Sequence, residues 1–364
     1  MDRLIIYAEE VVLTGTKNVT LREVAVKAGV SIATVSRVLN KSNYVNPDIE
    51  KKVNRVIREL GYFQNAVARS LKTNSTMIVG FVTADISNPY MITVAKAIED
   101  VIREKGYNLL VSSTEGDVER ELEHLHLLMG RNVDGIVLNG TGLNKDFIAR
   151  ISKKTPVILL HRRCDSSEFI GDFVDSDNIC GMYRLTKQLI SLGHRKIFII
   201  KGSMNASSNK DRHLGFCKAM EEEGIKIDDT YPFQYSGDFR KSSGFQAIDF
   251  LCGIEEKPTA ILSYNNTMML GALECMKQRN IRAPEDYTLA TYNNIEGKEL
   301  MTVRPTVYNV DPREIGLQVG DLLYERIQNN RIPYREMIVE GVIELGNTVG
   351  IPRELLAEYN TLTM

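Results

Sequence analysis

The 364-residue sequence lacks the cysteine spacing of disulfide-stapled or zinc-binding proteins. Its five cysteines are far apart and none belongs to a CxxC pair, so the sequence favours a reducing compartment. The apolar run near the amino terminus is broken by Glu9 and Glu10, and no small-residue cleavage site follows it. Because this run is too short for a membrane span, we expect a cytoplasmic protein without a membrane partner.

The common motifs of enzyme active sites are absent as well. The sequence has no GxSxG elbow, no phosphate-binding P-loop, no GxGxxG after a strand and no HExxH zinc motif. His124 and His126 stand two residues apart on a predicted helix, where their rings point to different faces and do not favour a shared metal. The sequence therefore predicts a binding protein that is not an enzyme and has no cofactor.

What the sequence does contain is ordinary globular composition with an uneven distribution of charge. It is 43% hydrophobic and 25% charged, with a formal net charge of −2 and enough length for two or three domains. Between Lys17 and Lys72, eleven Lys and Arg residues stand against four Asp and Glu residues, a net charge of +7. A basic module joined to a larger acidic one is the distribution that attraction to nucleic-acid phosphates requires.

Within the basic module the pattern predicts three short helices. Thr20 and Glu23 form a capping box before an apolar stripe that Gly29 ends, and Ser31 begins a second helix after a tight turn. A third helix starts at Asn46-Pro47, and its predicted core-facing residues are Ile49, Val53, Val56, Ile57 and Leu60. Two short helices joined by a glycine turn are typical of the helix-turn-helix, whose second helix lies in the DNA major groove. A generic helical bundle without a DNA role is the alternative.

Two segments, VTLREVAVKAGVSIATVSRVLN and ELGYFQNAVARSLKT, resemble the head and hinge of the LacI/GalR family of bacterial transcription regulators. The resemblance runs from about Asn18 to about Arg353. It implies that Ile32, Ala33 and Arg37 contact bases, and Arg37 can form a bidentate pair with guanine. The remaining members of the implied DNA-binding set in the head are Thr20, Ser31, Thr34, Ser36 and Asn40, which mostly contact phosphates.

The segment 65–71 (NAVARSL) has too few residues for a stable isolated helix. We therefore expect it to fold only when docked on a partner chain and on DNA. The family resemblance implies that Leu71 wedges into a minor-groove base step, with Arg69 and Lys72 beside it on the backbone. An ordinary amphipathic linker is the alternative.

From Met77 onward, apolar strand-like runs alternate with helical stretches. The runs are 77–83, 107–113, 134–140, 155–161, 196–202, 233–237, 259–264 and 288–294. Such alternation predicts parallel sheets covered on both faces, here as two lobes with a ligand cleft at the carboxyl ends of the strands. This resembles the periplasmic-binding-protein fold that the family joins to its head. The expected fold class is an all-α helix-turn-helix DNA-binding head plus an α/β two-lobed effector domain.

The loops after these strands carry polar and aromatic residues suited to a small ligand. The resemblance implies that Tyr90 and Phe239 form an aromatic wall and that Arg212 binds a hydroxyl or carboxylate. We expect Asn88 and Asn266 each to donate and accept hydrogen bonds. The effector-binding set as a whole is Asn88, Tyr90, Met91, Arg162, Arg212, Phe239 and Asn266.

Three departures from the family pattern bear on the ligand. The pair Asn265-Asn266 replaces a common Asn-Asp, His161-Arg162 replaces Asp-Arg, and 291–294 (TYNN) replaces the frequent Gly-Phe-Asp-Asp. Fewer carboxylates then face the cleft, which leaves Arg212 less neutralised. The default ligand is a carbohydrate, and these departures favour a sugar acid or sugar phosphate over a neutral sugar.

The sequence thus predicts a homodimeric DNA-binding regulator. Its expected partners are double-stranded operator DNA and a small-molecule effector. The tail lacks the heptads of a tetramerising coiled coil. A two-lobed solute-binding protein is the alternative function, and the basic module argues against it. The predicted segments are an extension of unknown role (1–17), the helix-turn-helix domain (18–64), the hinge and linker (65–76), the effector-binding domain (77–353) and a tail (354–364).

Overall fold

The computed structural model describes residues 19–40, 44–63, 70, 75–352 and 355. The chain divides into two compact units, residues 1–76 and 77–364. The predicted hinge contacts Arg69, Leu71 and Lys72 lie outside the described residues, as do the extension 1–17 and all of the tail except Leu355. No helix in the described part of the chain is long and apolar enough to span a bilayer. The division into five segments stays a prediction.

The first unit contains three helices, α1 (Leu21–Ala28), α2 (Ile32–Asn40) and α3 (Pro47–Leu60). The predicted capping box is confirmed, because the Glu23 amide donates to Thr20 Oγ1 at 3.3 Å and the Thr20 amide donates to Glu23 Oε2 at 2.7 Å. Gly29 ends α1 at a φ of +62°, a left-handed conformation that favours glycine. The two first helices are therefore joined by the tight turn that the sequence predicted.

Small apolar side chains form the core of this unit. Val53 and Val56 of α3 are buried, but Ile49, predicted to face the core, is 37% exposed. The prediction for Ile49 is wrong because the packed face of α3 begins one turn later, at Val53. The buried core residues are Val24, Ala25, Ala28, Val35, Val38, Val53 and Val56.

The second unit consists of two lobes, each built on a six-stranded sheet. The strands are β1 (Ile78–Thr83), β2 (Asn108–Ser113), β3 (Gly135–Leu138), β4 (Val157–Leu160), β5 (Asp172–Ser176), β6 (Ile197–Lys201), β7 (Gln234–Ser236), β8 (Ala260–Ser263), β9 (Thr288–Tyr292), β10 (Thr306–Asn309), β11 (Arg335–Val339) and β12 (Val342–Glu344). The first lobe has the parallel order β11-β5-β4-β3-β1-β2. The second has the order β12-β10-β9-β8-β6-β7, in which only β12 is antiparallel.

Helices cover both sheets. They are α4 (Pro89–Glu104), α5 (Val118–Gly130), α6 (Lys145–Ser152), α7 (Asn178–Ser191), α8 (Ser207–Glu221), α9 (Lys241–Gly253), α10 (Asn266–Gln278) and α11 (Pro312–Gln328), with a 3₁₀ turn at Lys298–Leu300. The chain crosses between the lobes three times, after β5, after β10 and after β11. Helix α11 packs on α4 of the first lobe, although it follows β10 of the second. The lobes are thus joined by three segments, and neither lobe is built from one continuous stretch of the sequence.

Each of the eight predicted strand-like runs contains a strand of these sheets. The sequence did not predict β5, β10, β11 and β12, which flank the three crossings. β5 carries Asp172 and Asp175, both buried, and these carboxylates interrupt the apolar pattern that identified the other strands.

A buried ion-pair network holds the returning segments to the first lobe. Arg326 of α11 donates to both carboxylate oxygens of Asp172 in β5, at 2.6 and 2.8 Å, and both side chains are fully buried. Arg335 of β11 donates to the same carboxylate at 3.0 Å. Burial raises the pKa of Asp172, but the hydrogen bonds from Arg326 and Arg335 outweigh it and lower the pKa overall.

Replacing Asp172 with Ala should lower the free energy of unfolding by roughly 3–5 kcal/mol, because it leaves the buried guanidinium of Arg326 without its counter-charge. Chemical denaturation measures this loss. Glu325→Ala removes only an exposed partner of Arg335 and should cost less than about 1 kcal/mol. Since the pKa of Asp172 is lower in the folded state, its contribution is present above its unfolded pKa and is lost as pH falls through the folded value. Equal losses in the two variants would contradict this assignment.

Candidate DNA interface and effector cleft

The predicted DNA-contacting residues of α2 share one solvent-facing side of the helix. Val35 and Val38 turn into the core of the first unit, which leaves the opposite face accessible. Ile32 is 48% exposed, and Ala33 and Arg37 are exposed with it. The structure thus places all three predicted base-contacting side chains where a DNA groove can reach them. Their contacts with bases stay predictions.

Local hydrogen bonds order the polar residues around this face. The Ser31 hydroxyl caps α2 by accepting from the Thr34 amide at 3.1 Å, and the two hydroxyls lie 2.8 Å apart. The side-chain amide of Asn40 donates through Nδ2 to the Ser36 hydroxyl at 3.2 Å. Thr20 caps α1 in the same way. These residues present ordered hydroxyls and amides of the kind that bind phosphates and set the position of the helix on DNA.

In the second unit, a cleft of about 600 Å³ lies between the lobes at the carboxyl ends of their strands. Parallel sheets collect the loops that follow their strands at this edge, so residues distant in sequence meet here. The structure brings the whole predicted effector set to this cleft: Asn88, Tyr90, Met91, Arg162, Arg212, Phe239 and Asn266.

Two asparagines meet across the cleft, Asn88 from the first lobe and Asn266 from the second. Asn88 caps α4 by accepting from the Tyr90 amide at 3.1 Å, so its Oδ1 is identified as the acceptor. Asn266 Nδ2 donates to that Oδ1 at 3.3 Å and to the Asn294 carbonyl at 3.0 Å. Both Asn266 donors are used within the protein. Its Oδ1 remains unpaired, and the predicted donation from Asn266 to a ligand, which would have to replace one of these bonds, stays a prediction.

Arg212 projects from α8 and is 5% exposed. Its Nε donates to Asn178 Oδ1 at 2.8 Å and its Nη1 to the Tyr264 carbonyl at 2.5 Å. The guanidinium lies 3.9 Å from the centroid of the Tyr292 ring. Among the described residues no carboxylate forms an ion pair with Arg212, so the protein solvates this buried cation with neutral groups only.

Arg162 and Phe239 form part of the cleft wall from opposite lobes. The Arg162 guanidinium lies 5.5 Å from the Phe239 ring centroid and donates to the Gly140 carbonyl at 2.5 Å. Burial, with a smaller contribution from the positive charge of Arg212, lowers the pKa of Arg162 to about 10. Phe239 has a φ of +70° and packs over Gly202, where a Cβ atom would lie 2.2 Å from the ring. Any larger residue at 202 would push this aromatic wall aside.

Among the described residues, three carboxylates and four cations line the cleft. Asp85 accepts from the amide and hydroxyl of Ser87, and Asp238 accepts from Ser243, so both are committed within their loops. Glu115 is the third lining carboxylate. The lining cations are Arg162, Arg212, Arg240 and Lys241.

Sequence reasoning did not include His161 and Asn293 in the site, yet both line the cleft and are buried. His161 Nε2 and Asn293 Oδ1 have no hydrogen-bond partner, and the same holds for Tyr90 Oη and Asn266 Oδ1. Buried polar atoms are normally paired, so four unpaired ones in a single cleft indicate a ligand site. The signal was available in the sequence, because His161 and Asn293 both stand at the departures from the family pattern.

The comparisons with known proteins agree with this architecture. Residues 20–65 match the family model of the bacterial regulatory proteins of the lacI family. Residues 76–345 match the model of the periplasmic binding proteins and sugar binding domain of that family. The chain belongs to the LacI family. It is a DNA-binding transcription regulator with a domain for a small-molecule effector.

Individual LacI-family proteins cover nearly the whole chain. The transcriptional repressor PurR of Aliivibrio salmonicida is 32% identical over 312 residues, which are 85% of this chain and 92% of that repressor. The structure of the Lac repressor dimer bound to operator and the anti-inducer ONPF has a TM-score of 0.77 and 25% identity, and covers 92% of this chain and 100% of its own. A complex of the regulator CelR with cellobiose has a TM-score of 0.66 and 25% identity, over 91% and 100%.

Arg37→Ala should weaken binding to the specific operator by roughly 1–3 kcal/mol and relax the preference at one base pair, because a bidentate contact to guanine is lost. Binding to a set of single-position operator variants measures both effects. Arg58→Ala removes the same charge from an exposed position on α3 and serves as the control. A uniform loss across all operator variants would instead identify Arg37 as a phosphate contact.

Proposed function

We propose that the protein is a homodimeric repressor of carbohydrate-related genes whose affinity for operator DNA depends on a sugar-derived effector bound between the two lobes. The observation that carries this proposal is the cleft itself, with its four buried unpaired polar atoms and an arginine without a carboxylate partner. The CelR structure contains a sugar, cellobiose, which supports a carbohydrate in the equivalent domain here.

The effector class follows from the chemistry of the cleft. Tyr90 and Phe239 can pack on the apolar face of a sugar ring, and the unpaired acceptors can bind its hydroxyls. Arg212 is a buried cation that the protein leaves without a counter-charge. Because a ligand carboxylate or phosphate would supply that charge, a sugar acid or sugar phosphate is favoured over a neutral sugar.

The remaining features follow from regulation of transcription. The Lac repressor relative was solved as a dimer on its operator, which supports a dimer here. Operator DNA places the site of action in the cytoplasm. In this proposal the cleft binds an effector without converting it, so the protein is not an enzyme and needs no cofactor. Leu71, Arg69 and Lys72 act as the hinge contacts to the minor groove.

Arg212→Ala should reduce the affinity for an anionic effector by about tenfold to a hundredfold, since a charge-assisted hydrogen bond contributes roughly 1.5–3 kcal/mol. A thermal-shift screen of neutral sugars, sugar acids and sugar phosphates identifies binders, because a ligand that binds only the folded state raises the Tm. Calorimetric titration of each binder with the variant then measures the loss.

Arg184→Ala is the matched control, because Arg184 is exposed on α7 and does not line the cleft. Both variants should bind operator DNA normally in the absence of effector. If Arg212→Ala retains the full effector response on operator binding, the effector does not bind at this cleft.

A further inference from the structure

His161 lines the effector cleft but was not part of the predicted effector-binding set. It follows β4 and is 8% exposed. Its Nε2 has no hydrogen-bond partner, and its ring centroid lies 5.6 Å from that of Tyr90, whose hydroxyl is also unpaired. A buried polar atom without a partner costs about 1–3 kcal/mol, so both atoms are positions that a ligand would satisfy.

The other ring nitrogen of His161 is committed to Asp175. Nδ1 lies 2.8 Å from Asp175 Oδ1, and that oxygen also accepts from the Ser176 amide at 2.7 Å. The second carboxylate oxygen accepts from Asn178 Nδ2 at 2.7 Å. An ionised carboxylate only accepts, so Nδ1 is the nitrogen that carries the proton. In the neutral ring, Nε2 therefore presents a lone pair to the cleft.

Besides His161, the guanidinium groups of Arg162 and Arg212 line the cleft. Tyr90 of α4 is a neutral phenol because burial raises its pKa. The charged and titratable groups around this part of the cleft are Tyr90, Arg162, Asp175, Arg212 and Asp311.

A second acceptor in the cleft has a fixed orientation. Asn266 Nδ2 donates to Asn88 Oδ1 and to the Asn294 carbonyl, and neither atom can donate in return. The amide of Asn266 therefore cannot flip without losing both bonds, and its buried Oδ1 is an acceptor without a partner. His161 and Asn266 together supply two acceptors, and an anion offers no donor to either.

We propose that His161 Nε2 and Asn266 Oδ1 form an acceptor pair that binds two hydroxyl groups of the effector, while any anionic group of the effector lies at Arg212. His161 is thus a specificity-determining residue, and Asp175 is its positioning residue. The inference rests on the proposed function, because it states which residues bind the hydroxyl groups and which residue binds the anionic group of an effector in that cleft.

The acceptor at His161 contributes one hydroxyl contact to effector binding. Its loss should reduce the affinity for every bound probe by about twofold to tenfold, whether or not the probe carries an anionic group. An anion bound directly to the imidazole would instead make the loss larger for the anionic probes.

The test measures binding to the full-length protein at a single pH. The probes are glucose with gluconate and glucose 6-phosphate, and ribose with ribose 5-phosphate. His161→Phe removes the acceptor and should weaken the binding of every probe that binds, whereas His161→Gln keeps an acceptor and should retain most of the affinity. His126→Gln removes an exposed histidine outside the cleft and should bind the probes as the wild type does.

A measurement without ligand covers the case in which the His161 variants do not fold. In protein labelled with ¹⁵N-histidine, the His161 signal should show a proton on Nδ1, beside Asp175, and none on Nε2. A proton on Nε2 instead would overturn the proposal. So would an affinity unchanged by His161→Phe, a loss confined to the anionic probes, or failure of every probe to bind.

The failure of this inference is distinguishable from failure of the proposed function. If a probe binds with the predicted dependence on His161 but leaves operator affinity unchanged, the acceptor pair is supported and the regulatory role of the cleft is not. If a probe changes operator affinity and its binding does not depend on His161, the regulatory role stands and the acceptor pair is wrong.

Discussion

The two lobes of the effector domain depend on one buried carboxylate at the point where the chain first crosses between them. Asp175 is the last residue but one of β5 in the first lobe, and it accepts from His161 at 2.8 Å and from Asn178 at 2.7 Å. Asn178 begins α7 of the second lobe and in turn accepts from Arg212 at 2.8 Å. A single ionised group thus orients a ligand-facing imidazole on one side and a ligand-facing guanidinium on the other. Networks of this kind are rigid when satisfied and costly when one member is lost.

Several of the contacts that join the lobes at the cleft are polar. Asn266 donates to Asn88 at 3.3 Å, and Arg240 donates to the Glu115 carbonyl at 2.8 Å. Beside the cleft, Arg163 forms an ion pair with Asp211 at 2.6 Å. Polar contacts exchange readily with water, so the relative energy of two lobe arrangements can be small. An effector that contacts both lobes then needs a differential affinity of only about 1–3 kcal/mol to change which arrangement is populated.

The unpaired atoms of the cleft show where binding conflicts with stability. The cores of the two lobes are apolar and closely packed, whereas Tyr90, His161, Asn266 and Asn293 leave buried polar atoms unsatisfied. Apolar side chains at these positions would remove that cost. Their concentration in one cleft, next to an arginine without a counter-charge, therefore distinguishes a ligand site from an ordinary gap between lobes.

The sequence by itself determined the helix-turn-helix and most of both sheets, because these depend on local patterns. The capping box at Thr20, the glycine at 29 and the apolar runs of the strands act within a few residues of one another. The same locality identified the loops of the effector cleft, since parallel strands bring their carboxyl ends together. Only the tertiary structure decided where the chain crosses between the lobes. The strand before the first crossing, β5, carries buried aspartates whose partners, such as Arg326 for Asp172, lie more than a hundred residues away. It also decided that Asn266 donates twice within the protein while its Oδ1 stays unpaired, and that His161 faces the cleft with an unpaired Nε2. Hydrogen-bond partners such as Asn88 and Asp175 become neighbours only when the lobes assemble, so the state of each polar atom is a property of the fold and not of the local sequence.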